Sequence, residues 1–283
     1  MNENSLPRVA VFGLGLIGSI WARHLHEAGL LAASWNRSPK PDVPRFTPDA
    51  RAAASAADVI ILVVADPPAV AGILDTILPV LTPHHLLIQS STIGPADAAT
   101  FRARVTATGA RYLEAPFTGS KPAAEAKKTV FYLGGDDTTR AAAEPVLSSF
   151  SALRIPCGMA EQACTIKLTM NLQIAVMTEG LGEALLLSRA AGIGDDTFFT
   201  AMRNNASWSG LAALKEPKLR AGDFSPQFST KHLLKDLRLL RQAGGPLPAL
   251  DLLIDRLRQA DHAGFREEDY TAILKTLPRP ASP

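Results

Sequence analysis

The chain reads as an α/β protein in two parts: a doubly wound parallel sheet with helices on both faces over residues 1–158, then an all-α domain over residues 159–283. Three observations carry this. Three glycines, Gly13, Gly15 and Gly18, join an apolar strand to a helix. Short apolar runs then alternate with helical periodicity as far as residue 150 or so, as in successive βαβ units. Beyond Gly158 no strand pattern recurs, and one apolar-periodic segment runs from Ala160 to Ala191 until Gly192 and Gly194 stop it. At about 1.5 Å per residue that helix spans tens of ångströms, and it is expected to join the two domains.

Taken in order, the first strand is Arg8–Phe12. Ile17, Ile20, Trp21, His24 and Leu25 follow at helical spacing. Between them, Gly13-Leu14-Gly15-Leu16-Ile17-Gly18 is a G-x-G-x-x-G loop. Its glycines permit a tight turn, close approach of a pyrophosphate to the backbone, and close packing of helix on strand. The N-terminal N–H groups of the helix then face the diphosphate. This is the signature of a Rossmann-type dinucleotide-binding unit. Further strands are expected near residues 31–36, 58–64, 86–90, 111–114 and 129–133. The run Asp58–Val64 is apolar almost throughout, as in a strand covered on both faces, and Val64 and Ala65 at its carboxyl end join the expected cofactor contacts. Pro39, Pro41, Pro44 and Pro48 leave room for only a short helix at Arg51–Ala56. In the second part, helices are expected near 195–204, 210–221, 230–243, 248–263 and 267–277.

The second strand bears on which dinucleotide is bound. An NAD-type site usually ends this strand with a carboxylate for the ribose 2′-hydroxyl. Here stand neutral Asn36, then Arg37 and Ser38, with Lys40 beyond. A guanidinium bonds a 2′-phosphate through two parallel N–H groups, so NADP(H) is the expected cofactor. The competing reading is a solvated polar turn before Pro39.

Composition sets bounds. A hydrophobic fraction of 47% with 20% charged residues fits a globular protein, and a net charge of +2 gives no footprint for nucleic acid. No basic region followed by an apolar run opens the sequence, and no uncharged apolar stretch reaches membrane-spanning length, so a cytoplasmic protein without membrane attachment is expected. Two cysteines and six scattered histidines form no metal-ligand pattern, and no metal is expected.

Lys167 and Asn171 lie four residues apart in an otherwise apolar stretch, hence on one helix face. A lone cation there either snorkels outward or lines a cavity. Beside a hydride carrier the second role gains weight, because carbonyl reduction needs a proton donor at the developing alkoxide, and a desolvated lysine can serve. Asn171 would hold the same oxygen or fix the ammonium. Glu114-Ala-Pro-Phe-Thr-Gly-Ser120 follows a strand, so Thr118, Gly119 and Ser120 fall where open α/β sheets bind ligands, with donors suited to a substrate carboxylate; a plain loop is the alternative. Thr92, in Gln89-Ser-Ser-Thr-Ile-Gly-Pro95, either reaches the nicotinamide side or satisfies the start of a helix at Pro95.

Together these segments resemble the β-hydroxyacid dehydrogenase family, which includes 3-hydroxyisobutyrate dehydrogenase, tartronate semialdehyde reductase and glyoxylate/succinic semialdehyde reductases. Gly13–Gly18 is similar to the family's glycine loop and Asn36-Arg37-Ser38 to its NADP-using branch. Glu114–Gly119 resembles its substrate loop, Lys167-Leu-Thr-Met-Asn171 its catalytic lysine and asparagine, and Phe228–Asp236 its late helix. The resemblance implies that Lys235 lies near cofactor and substrate, that the substrate is a small carboxylate-bearing aldehyde, ketone or hydroxy acid, and that the protein is a homodimer or homotetramer. Ser120 and Glu161-Gln-Ala-Cys164 depart from the family's usual Gly and Gly-Asn-Gly-Ala. Two alternatives stand beside it: an imine reductase, which shares the architecture and an Asn-Arg-Ser/Thr motif but typically carries Asp or Tyr at the place of Lys167, and a non-catalytic NADP-binding scaffold or sensor.

Overall fold

The computed structural model describes residues 6–278, which divide into two compact units between Lys167 and Leu168. In the first, strands β1 (Val9–Phe12), β2 (Leu31–Trp35), β3 (Val59–Leu62), β4 (Leu86–Gln89) and β5 (Arg111–Glu114) form a wholly parallel sheet in the order β2-β1-β3-β4-β5. Side chains alternate between its faces. Ala10, Phe12, Ile60 and Leu62 pack on one side with Ala53, Leu74 and Phe101, from helices α2 (Ala50–Ser55), α3 (Pro67–Ile77) and α4 (Pro95–Thr106). Val9, Val11, Ile61 and Ile88 pack on the other with Trp21 and Leu25 of α1 (Leu16–Glu27). Two covered faces explain why these strands are unbroken apolar runs rather than alternating ones. The strand order reverses between β1 and β3, so the glycine loop after β1 sits at the switch point.

The strand expected at residues 129–133 forms, but in a second sheet. Strands β6 (Phe117–Thr118), β7 (Thr129–Leu133) and β8 (Ser151–Pro156) run in the order β6-β7-β8. A bridge between Glu114 and Gly134 ties this sheet to β5. Helix α5 (Lys121–Glu125) links β6 to β7, and α6 (Asp137–Leu147) links β7 to β8. Trp21 packs against Phe117, Phe131 and Phe150 with ring centroids 4.8–5.2 Å apart, fastening α1 to that sheet. β8 is absent from the sequence reading because it is an edge strand: mostly exposed and interrupted by Arg154, it offers no apolar run.

Helix α7 (Ala160–Ala190) has 31 residues and is close to the expected span. Ala160–Lys167 belong with the first unit and the remainder with the second. The second unit continues with α8 (Asp195–Arg203), α9 (Gly210–Ala221), α10 (Thr230–Gly244) and α11 (Pro248–Ala260). Two boundaries differ from expectation. The helix expected to reach residue 263 leaves α geometry after Ala260 for a π-turn, within which Gly264 has φ +90°. The helix expected at 267–277 is a 3₁₀ segment, Tyr270–Thr276, started by the Asp269 carboxylate accepting the Thr271 N–H. Leu168, Leu233, Leu237, Leu253, Leu257 and Ile273 form the core of this unit. Among the described residues no helix is long and apolar enough to cross a membrane, and no group of three or more His, Cys, Asp or Glu side chains could hold a metal ion.

Candidate active site

The three glycines of the first loop are constrained by different things. Gly13 has φ +102°, and a Cβ there would lie 2.2 Å from the Val63 carbonyl oxygen. A Cβ on Gly18 would lie 1.8 Å from the Gly13 carbonyl oxygen, so glycine is what lets α1 close down on the turn. At Gly15 φ is ordinary, and a Cβ would meet no protein atom within 4 Å. Nothing in the protein itself requires glycine at Gly15, which fits a backbone kept bare for a ligand. The first N–H groups of α1, from Leu16, Ile17 and Gly18, have no partner inside the helix, as at every helix start. They make an electropositive end facing the loop.

Asn36 does not point outward with its neighbours. Its Oδ1 accepts the Leu14 N–H at 2.9 Å and its Nδ2 donates to the Ser38 carbonyl at 2.9 Å, which pins the glycine loop to the exit of β2. Arg37 and Ser38 are exposed, and among the described residues Arg37 makes no hydrogen bond or ion pair. The residue that follows β2 is an amide, Asn36, and not a carboxylate.

The β3 exit is tied to the β4 exit, since the Val64 N–H donates to Ser91 Oγ at 2.9 Å. Thr92 is half-buried beside it. Helix α4 has Gly94, not Thr92, at its cap position, and the Asp97 carboxylate accepts the Gly94 N–H at 3.3 Å. Thr118 ends β6 opposite Val130, Gly119 has φ +138°, and Ser120 precedes α5 without its side chain capping that helix. Among the described residues the hydroxyls of Thr118 and Ser120 have no protein hydrogen-bond partner, and both residues are half-buried. The glycine loop, Asn36, Val64 with Ala65, and Thr92 thus follow the carboxyl ends of β1, β2, β3 and β4 of the parallel sheet, while Thr118–Ser120 close the carboxyl end of β6 in the second sheet.

Lys167 is buried, 9% exposed as a residue, rather than projecting from an outer face of α7. Asn171, one turn along α7, is 3% exposed and donates from Nδ2 to Asp236 Oδ2 at 2.7 Å. A carboxylate partner decides which way that amide faces. Asp236 is buried on α10, where Lys235 Nζ lies 2.8 Å from its Oδ1 as an ion pair. Sequence reasoning did not single out Asp236. Its signal was its place at the end of the Phe228–Asp236 motif.

A second group that sequence reasoning missed is Glu114 with Gln89, both fully buried at the ends of β5 and β4. Burial pushes the Glu114 carboxyl up to about 8, against weaker lowering by hydrogen bonds from Tyr112, Cys164 and Gln89.

Residues 8–166 match the family model described as the NAD binding domain of 6-phosphogluconate dehydrogenase. Residues 162–277 match that described as NAD-binding of NADP-dependent 3-hydroxyisobutyrate dehydrogenase. The chain is 30% identical to an uncharacterised oxidoreductase of Synechocystis, over 96% of this chain and 98% of that one. It is 23% identical to the chloroplastic glyoxylate/succinic semialdehyde reductase 2 of Arabidopsis thaliana, over 98% of this chain and 81% of that one. Among solved structures, 3-hydroxyisobutyrate dehydrogenase of Mycobacterium tuberculosis with L-serine superimposes with a TM-score of 0.87 at 26% identity, covering 96% of this chain and 99% of that one.

Proposed function

The chain belongs to the β-hydroxyacid dehydrogenase family and is an NAD(P)-dependent hydroxyacid dehydrogenase; from that premise we propose that it uses NADP(H) and reduces small aldehydes or ketones bearing a carboxylate, equivalently oxidising the matching hydroxy acids. The observation that carries the reading is a buried lysine, Lys167, one helical turn from an asparagine whose amide is locked by Asp236. A buried lysine beside a fixed amide is a proton donor held in place.

Exposed Arg37 at the end of β2, preceded by the amide Asn36 and not a carboxylate, favours the 2′-phosphate. Gly13, Leu14, Gly15, Leu16, Ile17 and Gly18 would hold the pyrophosphate, Asn36, Arg37 and Ser38 the adenosine end, and Val64, Ala65, Thr92 and Lys235 the remainder. When bound, the dinucleotide supplies the hydride that the carbonyl carbon accepts. Lys167 Nζ gives a proton to the carbonyl oxygen as it becomes a hydroxyl, and in the reverse direction takes it back. Asn171 orients the same oxygen. Thr118, Gly119 and Ser120 take the substrate carboxylate through hydroxyl and N–H donors, which suit an anion. The reading has the protein in the cytoplasm as a homodimer or homotetramer; exposed Met170, Val176, Leu187 and Leu252 on the helical unit are apolar surface of the kind that subunits cover.

Initial rates of NADPH oxidation test this with succinic semialdehyde, glyoxylate, butanal and a cyclic imine. One methylene in an apolar pocket is worth about 1–3 kcal/mol, so removing the carboxylate is expected to cost more than changing the chain length. Succinic semialdehyde should exceed butanal in kcat/KM by about an order of magnitude or more, and Thr118→Val should shrink that gap. Equal rates on acid and plain aldehyde would remove the anion site from the reading. Turnover of the imine alone would favour an imine reductase, and binding without turnover a scaffold.

A further inference from the structure

Beneath the carboxyl edge of the parallel sheet, polar side chains form a bridge that the proposed chemistry does not use. Gln89 and Glu114 are register partners on β4 and β5, both 0% exposed. Gln89 Oε1 accepts the Ser91 N–H at 2.7 Å, which fixes the direction of the amide. Its Nε2 therefore faces Glu114 Oε1 at 2.7 Å and the Ser91 carbonyl at 2.9 Å. Ser91 Oγ in turn accepts the Val64 N–H at 2.9 Å. One chain of hydrogen bonds thus joins the exits of β5, β4 and β3.

We infer that Glu114 is a positioning residue for dinucleotide binding, acting through Gln89 and Ser91 to set the β3 and β4 exit loops that carry Val64, Ala65 and Thr92. This rests on the reading that those three residues face the dinucleotide. An apolar pair could fill the same volume at no loss of stability, but only a hydrogen-bonding pair fixes where Ser91 presents its hydroxyl to Val64.

The bridge works with Glu114 protonated. Its surroundings show why the proton stays at neutral pH: Glu114 is fully buried, and no cation contacts it among the described residues. On β5 the Tyr112 hydroxyl lies 2.5 Å from its Oε2. On α7 the Cys164 thiol faces it, and burial raises both that thiol and the Tyr112 phenol well above their ordinary values, so neither contributes charge. Glu161 of α7 adds a repulsive charge but is paired with Arg102 of α4 at 2.6 Å, while Asp97 of α4 is felt by Cys164. On β4, Gln89 is uncharged at every pH. Deprotonation in alkali places an uncompensated anion at the centre of the bridge, and its neighbours must rearrange.

The test is the Kd for NADPH, read by cofactor fluorescence on the full-length protein at pH 7 and pH 9. Glu114→Gln keeps a neutral, planar, hydrogen-bonding group; Glu114→Ala removes it; Ser91→Ala cuts the bridge at the Val64 end. Leaving a buried polar group unsatisfied translates into about a tenfold effect. Wild-type Kd is therefore expected to rise about tenfold between the two pH values, whereas E114Q stays flat. E114A should bind about tenfold more weakly at pH 7, with E114Q rescuing that loss. S91A should bind weakly at pH 7 and lose the pH dependence, and with E114Q it decides the matter should E114A fail to fold. E114Q rising with pH as the wild type does, or S91A binding like the wild type at both pH values, overturns the inference. Wild type that binds no nicotinamide dinucleotide at pH 7 overturns instead the reading on which it rests.

Discussion

The Asn36 side chain accepts the backbone N–H of Leu14 at 2.9 Å, so the residue that stands where an NAD-type site carries an acid also holds the shape of the glycine loop. Asn36 and Arg37 should therefore fail differently when mutated. Asn36→Ala removes a loop contact and is expected to weaken NADPH and NADH alike. Arg37→Ala should raise the KM for NADPH about ten- to a hundredfold, the loss of one charge-assisted bidentate contact, while leaving NADH almost unchanged. Asn36→Asp keeps the acceptor for Leu14 and adds a negative charge, so it should move preference toward NADH. Steady-state KM values for both cofactors check all three. A wild type that prefers NADH would contradict the assignment.

Gly15 and Gly18 separate fold from binding. Alanine at Gly18 places a carbon 1.8 Å from a backbone oxygen, and thermal unfolding should show clear destabilisation, as expected of an overpacked contact costing about 1–3 kcal/mol. Alanine at Gly15 meets no protein atom within 4 Å. Its stability should stay within about 0.5 kcal/mol of wild type, while dinucleotide binding falls sharply.

The helical unit has its own buried polar anchor. Lys215 Nζ lies 2.8 Å from Asp269 Oδ1, with side-chain exposures of 3% and 0%. Asp269 also accepts the N–H groups of Gln227 at 3.0 Å and Phe228 at 3.3 Å and the Thr271 hydroxyl at 2.9 Å. Asp269→Ala strands a buried ammonium and is expected to cost about 3–5 kcal/mol in urea unfolding. Lys215→Met should cost less, because Asp269 keeps its other donors.

Glu114 gives a signed pH dependence of stability. Its carboxyl ordinarily titrates near 4.5 and is raised to about 8 in the fold by burial. Below pH 4.5 both folded and unfolded chains hold the proton. From there to about 8 only the folded chain does, so stability is lost as pH rises, by at most about 1.4 kcal/mol per pH unit. Glu114→Gln has no proton to lose. Its unfolding free energy should therefore rise steadily relative to that of the wild type from pH 5 to pH 8, the variant becoming the more stable partner as pH increases; a constant difference would place an ionised carboxylate in the core.

What could be read from sequence follows what leaves a periodic or a backbone signal. The βαβ alternation, the glycine loop and the start of α7 are legible because buried strands are continuous apolar runs and glycine is demanded by contact, as at Gly13 and Gly18. The edge strand Ser151–Pro156 is exposed and has no such run. Lys167 and Asn171 stand out as polar residues four apart on an apolar helix. Asp236 and Glu114 do not, because their partners are 65 and 25 residues distant and a charge in sequence does not say whether it will be buried. Residues 114–120 were legible as a loop after a strand. That Glu114 itself is fully buried, against Gln89 and Tyr112, shows only in the fold.

The central claim is that Lys167 supplies the proton in a carbonyl reduction, and the kcat of Lys167→Ala at saturating NADPH and succinic semialdehyde tests it most directly, with NADPH affinity measured on the same sample. General acid catalysis by one side chain is worth about 10²–10⁴-fold, so kcat should fall by that factor while NADPH binding stays close to normal. Lys167→Arg should not recover it, because a guanidinium does not release a proton near neutral pH. A Lys167→Ala protein that keeps more than about a tenth of wild-type kcat, well short of that loss, would contradict the claim.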